Sequence, residues 1–220
     1  MRTPQTKAAI CGLATSFALL SLVGCSGSKP AATSPQPTAG VTTPTATATA
    51  DATVAPAQSA VPAEKNPPGD IPDNLAFVPY ANAAGGYRFT HPEGWAETAK
   101  GSTVLFTDKL NGVTATAGTS ASPPTVSDAK AQDVPALRRS QPAFELRSVT
   151  AVSVPGASGV RIVYRRNSAP DAVTGRQYRD EVERYELVSH GREVVLELFG
   201  PVGADNVDAY RTMVQSLRIG

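Results

Sequence analysis

The chain has 220 residues, a net charge of +1, and 41% hydrophobic against 18% charged residues. This is an ordinary globular composition that excludes a strongly basic nucleic-acid binder and an acidic cation store. Both cysteines, Cys11 and Cys25, lie in the first 25 residues, and Ser26–Asp70 has no aromatic, isoleucine or leucine. The packed core is therefore expected from the 150 residues 71–220, enough for one domain.

Arg2 and Lys7 precede an uncharged stretch, Ala8–Gly24, that carries Phe17, Leu19, Leu20 and Leu22. A charged n-region followed by an apolar h-region of this length predicts a signal peptide over residues 1–24. With several Ser, Thr and Gly the stretch falls short of the roughly 20 apolar residues that a spanning helix needs. It ends in Leu22-Val23-Gly24-Cys25, which resembles a bacterial lipobox. The resemblance implies cleavage between Gly24 and Cys25 and acylation of the Cys25 thiol, which becomes the mature N-terminus. Two or three acyl chains hold a protein on a membrane stably, where one gives only marginal binding. The expected location is the extracytoplasmic face of the cell membrane. Loss of Arg2 and Lys7 turns the net charge from +1 to −1, so no electrostatic membrane patch is expected.

Residues 25–70 then read as an acylated cysteine and a disordered Ala/Pro/Thr-rich tether. Ser26–Asp70 contains 11 Ala, 8 Thr, 8 Pro and 4 Ser, too little apolar surface to offset the entropy of ordering. As a coil such a spacer reaches about 35–40 Å, and as an extended polyproline helix about 140 Å. Its Thr/Ser/Pro content also permits O-glycosylation.

From Ile71 onward the composition changes. Tyr87 and Phe89 alternate with Arg88 and Thr90, which predicts a half-buried strand, and Pro92-Glu93-Gly94 predicts a turn before Trp95. Further strands are expected at Thr103–Thr107 and Val113–Ala117. Asp133-Val134-Pro135 suits the start of a short helix through Arg139. Glu145–Val154, Gly159–Arg166, Gln177–Ser189 and Arg192–Phe199 read as four long strands, with Ser189-His190-Gly191 as the tight turn between the last two. Val207, Tyr210, Val214 and Leu217 lie on one face of a helix capped by Asp205. Strands, a helical insertion, long antiparallel strands and a closing helix predict an α+β domain.

Gly86-Tyr87-Arg88-Phe89-Thr90-His91-Pro92-Glu93-Gly94-Trp95 resembles the G-Y-x-F-x-x-P-x-x-W opening of PsbP-like domains. The ending is similar too, with Phe199-Gly200-Pro201 before a helix that closes on Met213-Val214-Gln215-Ser216-Leu217-Arg218. The resemblance spans about residues 76–220 and implies the PsbP/Mog-like fold, a twisted antiparallel sheet flanked by helices. The activities of that family do not transfer with it.

Catalytic and metal chemistry is sparse. His91 and His190 are the only histidines, and neither belongs to a His/Cys cluster of metal-ligand spacing. Both are expected in water-exposed turns. Gly156-Ala157-Ser158-Gly159 is the nearest approach to a nucleophile elbow but has the wrong spacing and reads as a loop between strands. The carboxylates Asp180, Glu181, Glu183 and Glu186 sit among Arg176, Arg179 and Arg184 and face Arg161, Arg165 and Arg166 on the preceding strand. Such mixed charges predict cross-strand ion pairs on a solvated sheet face rather than a cation site. Tyr87, Phe89 and Trp95 are read first as core, and second as a ligand or partner surface.

The sequence thus points to a lipid-anchored, extracytoplasmic, non-enzymatic protein with a binding or scaffolding domain at the bacterial envelope. Its partner would be an unidentified envelope protein or, alternatively, a small apolar ligand or envelope lipid. No nucleic acid, cofactor or metal is expected.

Overall fold

The computed structural model describes residues 58–65 and 69–220. In chain order it runs β1 (Phe77–Asn82), β2 (Tyr87–Pro92), β3 (Ala96–Lys100), β4 (Thr103–Asp108) and β5 (Asn111–Thr119). Then follow α1 (Val126–Asp128), a π-helical turn (Ala129–Asp133), α2 (Val134–Ser140), β6 (Glu145–Val154) and β7 (Ala157–Asn167). The chain closes with β8 (Arg179–Ser189), β9 (Arg192–Pro201), α3 (Val207–Ser216) and β10 (Arg218–Ile219). The large sheet has the order β3-β4-β5-β9-β8-β7-β6 and the small one β1-β2-β10. Every pairing is antiparallel. The fold class is α+β.

Alternation along the long strands separates two apolar clusters. On one face of the large sheet Tyr185, Leu187, Leu196, Leu198, Val113 and Phe106 pack against Tyr87 and Phe89 of the small sheet and against Tyr210, Met213 and Val214 of α3. On the other face Val160, Ile162, Tyr164 and Val182 pack against Ala129, Val134 and Leu137 of the helical insertion. The large sheet is thus covered by the small sheet and α3 on one side, and by α1–α2 over part of the other.

The four long strands and the closing helix stand where periodicity put them, with β8 beginning two residues later, at Arg179. The helical insertion begins earlier than expected. Thr125 caps α1 by accepting from the Asp128 amide at 3.2 Å, and Asp128 Oδ2 accepts from the Thr125 amide at 3.1 Å. This reciprocal capping box nucleates the helix about two turns before Asp133. At α3 the cap position is Asn206, not Asp205, and its side chain does not cap. Its amide is committed elsewhere: Asn206 Oδ1 accepts from the Ile71 N–H at 2.8 Å, and Asn206 Nδ2 donates to Asn111 Oδ1 at 2.9 Å.

These contacts belong to a series that straps the chain before β1 onto one end of the large sheet. Asn111 Nδ2 donates to the Gly69 carbonyl at 2.6 Å, and the Asp205 N–H donates to Asp70 Oδ1 at 2.9 Å. Farther back, Asn167 at the end of β7 accepts from the Val61 N–H at 3.0 Å and donates to the Ser59 carbonyl at 2.8 Å. Glu64 pairs with Arg176. Three buried asparagines, Asn111, Asn167 and Asn206, thereby satisfy backbone groups of a segment that forms no strand of its own.

Candidate functional site

Gly24 and Cys25, the expected cleavage and acylation positions, lie outside the described residues. Among the described residues no helix is long and apolar enough to cross a membrane.

Tyr87 and Phe89 point inward from β2, with Arg88 outward between them. The Tyr87 hydroxyl donates to the Ser102 carbonyl at 3.2 Å and the Ala115 carbonyl at 3.1 Å, and burial pushes the phenol well above its ordinary pKa. Phe89 meets Phe106 and Tyr80 edge to face at 6.0 and 5.9 Å. Both rings belong to the core and present no surface to a ligand or partner.

His91 departs from its expected exposure. It is 8% exposed, its ring stacks on Phe106 at 3.7 Å, and its Nδ1 lies 3.0 Å from the Pro92 carbonyl. Its position on β2 puts it two residues beyond Phe89, on the same inward face, and burial lowers its pKa. His190 is exposed at the β8–β9 turn, with φ of 49° beside Gly191 at 78°, a pair of left-handed residues that closes a tight hairpin. Ser158 lies in β7, opposite Val188, after the Gly156 turn, so it belongs to a hairpin and not to a nucleophile elbow.

The charged run pairs across β7 and β8. Arg161 grips Glu183 through two contacts of 3.0 and 2.5 Å, Arg165 meets Glu181 at 3.0 Å, and Arg166 meets Asp180 at 3.8 Å. Not all of this face is solvated, which corrects the sequence reading. Arg184 joins Glu186 at 2.6 Å and Glu197 at 3.5 Å on the opposite face. Glu186, Asp180 and Arg179 are buried there or at the strand end. Burial raises the Glu186 and Asp180 carboxyls, the latter to about 7. Among the described residues no three His, Cys, Asp or Glu side chains gather in a metal-holding group.

Trp95 differs from the other two aromatics. It is 7% exposed, and what it exposes lines a cleft of about 530 Å³ at the strapped end of the sheet. Ile71, Pro72 and Leu75 add to its apolar lining. Asp70, Glu93, Asp108, Lys109 and Asn111 supply its polar and charged lining. Lys109 holds a left-handed φ of 51° in the two-residue turn between β4 and β5, a conformation disfavoured for a side chain of that size. Sequence reasoning found Trp95 but not the lining from residues 69–75, because those residues carry no periodic pattern. The asparagine locks that hold them are invisible until the distant strands are in place.

No protein-family model and no curated protein matches the chain. Solved structures similar to it include the PsbP protein of Synechocystis, with 18% identity, 66% of this chain and 94% of that chain covered, and a TM-score of 0.45. The Saccharomyces cerevisiae Ran-binding protein Mog1p is similar at 8% identity, with 66% and 96% covered and a TM-score of 0.43. LpqN, described as involved in cell envelope biogenesis of Mycobacterium tuberculosis, is similar at 15% identity, with 67% and 92% covered and a TM-score of 0.40. At these values the fold class rests on the strand order and register described above.

Proposed function

We propose that the protein is a lipid-anchored binding protein of the bacterial cell envelope, cut after Gly24, acylated on Cys25 and held on the extracytoplasmic face, with no catalysis of its own. The observation that supports binding is the cleft at Trp95. Its volume of about 530 Å³ falls within the range of small-molecule sites, and a lining that joins Trp95, Ile71, Pro72 and Leu75 to charged and polar groups is the usual make-up of such sites. The same apolar lining favours the specific reading of a carrier for a small apolar ligand or envelope lipid over a purely scaffolding role towards an envelope protein.

Two measurements test the two halves of this reading. Incorporation of labelled fatty acid should be lost in Cys25→Ser, with uncleaved precursor left behind; unchanged labelling removes the anchor. Native mass spectrometry of the purified protein should show a co-purified small molecule that Trp95→Ala or Leu75→Asp releases. A bare mass together with a cross-linked envelope protein selects the scaffold instead.

A further inference from the structure

Among the described residues the large sheet has two free edges, and they are built differently. β3 is a five-residue strand with every residue exposed and with Glu97 and Lys100 along it, the short charged edge that natural sheets use to discourage pairing. β6 is ten residues long and pairs only with β7. Among the described residues nothing pairs with its outer side, so alternate N–H and C=O groups face outward along its length. From Ser148 to Val154 it reads Ser-Val-Thr-Ala-Val-Ser-Val, without charge or proline. The charges at its start, Glu145 and Arg147, pair with each other at 2.8 Å, and an irregularity between Leu146 and Ser148 marks where the regular stretch begins.

We propose that β6 pairs antiparallel with β6 of a second copy of this chain, about a two-fold axis at Ala151. In that register Ala151 faces itself, Thr150 faces Val152, Val149 faces Ser153 and Ser148 faces Val154. Thr150 and Val152 lie on one face of the sheet, and Val149, Ala151 and Ser153 on the other, as their β7 partners show. The register therefore keeps both pleats in phase. Glu145 and Arg147 of each copy fall beyond the paired run, so no like charges meet across the seam. The seven-residue run is uncharged and four of its residues are β-branched, so pairing it with itself sets small and β-branched side chains against each other and buries no charge. The result is a closed, isologous interface that consumes the open edge of both copies.

The test uses the full chain, expressed with its own N-terminus in a bacterial envelope. Facing residues of an antiparallel pair lie about 4.5–5.5 Å apart at Cα, within disulfide reach. Ala151→Cys should give a disulfide-linked dimer on a non-reducing gel above the wild-type background. Val149→Cys alone should not, because its copy lies about 13 Å away along the strand, whereas Val149→Cys mixed with Ser153→Cys should. In sedimentation, detergent-solubilised wild type should run at twice the protein mass of Ala151→Lys, whose exposed position tolerates the change; a circular-dichroism spectrum matching wild type confirms that it folds. A monomeric wild type with no Ala151→Cys dimer overturns the proposal. So does equal cross-linking from Ala99→Cys on β3, or a dimer that Ala151→Lys leaves intact.

Discussion

Gly159 on β7 lies so close to β8 that a Cβ placed on it would overlap the Glu186 carbonyl, a backbone atom that cannot move aside. Gly159→Ala should therefore cost about 1–3 kcal/mol, the range for a methyl forced into a packed interior, read as a fall in the urea midpoint at unchanged slope. Asp180 supplies a pH signature. Burial raises its carboxyl to about 7 against the nearby Arg166 and Arg179, so between the ordinary carboxylate range and about pH 7 the folded chain binds a proton that the unfolded chain has released. Stability from this group is present at low pH and is lost as pH rises through about 7. Asp180→Asn should remove that loss, and the difference between the two stability–pH curves isolates it. His91 acts with the opposite sign. Its lowered pKa leaves the unfolded chain binding more protons, so stability falls as pH drops through the ordinary histidine range. His91→Gln should flatten that acid-side slope. His91 also marks a limit of reading residues one at a time: next to Pro92-Glu93-Gly94 it looks like a turn residue, and only the strand's continuation to Pro92 turns it inward.

At the scale of elements, the β7–β8 ladder contains ion pairs of unequal weight. Arg165 and Glu181 are both partly in water, so Arg165→Gln should cost less than about 1 kcal/mol and lose even that in molar salt. Arg179 is 5% exposed and donates to the Ala143 carbonyl, Asn167 Oδ1 and Glu145. Arg179→Met removes the donor to the Ala143 carbonyl, while Asn167 Oδ1 keeps the Val61 N–H and Glu145 stays in water, so it should cost about 1–3 kcal/mol, measured by urea unfolding at low and high salt. The long strands were legible in the sequence because each buries one or both faces and so alternates or runs apolar. β3 was not, because all five of its residues are exposed and burial imposes no period on them. The capping box at Thr125 was hidden for a different reason: the helical turns it starts bury only Ala129 before Val134, too little to show a helical stripe.

At the scale of the molecule, the strap and the cleft depend on pairings far apart in sequence. Asn206→Ala removes the acceptor of the Ile71 N–H and the donor to Asn111, and should cost about 1–3 kcal/mol for the buried groups left unpaired. It should also expose the only tryptophan. Acrylamide should quench Trp95 weakly in wild type, where the ring is 7% exposed, and strongly in Asn206→Ala. Equal quenching in both would show that the strap does not shield the ring. The aromatic core around Tyr87 and Phe89 could be read from the Gly86–Trp95 stretch alone. The cleft could not, since it forms where Gly69–Leu75, Trp95 and the β4–β5 turn meet through long-range contacts.

The strap has a mechanical consequence. Among the described residues, the first to take tension applied from the N-terminal side are Gln58, Ser59 and Val61, held by Asn167 on β7 and by Gln177, and not β1. The second hold on the same segment, at Gly69 and Ile71, is made by Asn111 and Asn206. The two fastenings act in series, and each is weaker than the strand ladder behind it. A pulled chain should yield first at Asn167 and then at the Glu64–Arg176 pair just beyond it, paying out the roughly 25–35 Å of backbone between the two points while the sheet remains intact. Single-molecule extension should record that step as a small release at low force, ahead of domain unfolding, and Asn167→Ala should abolish it.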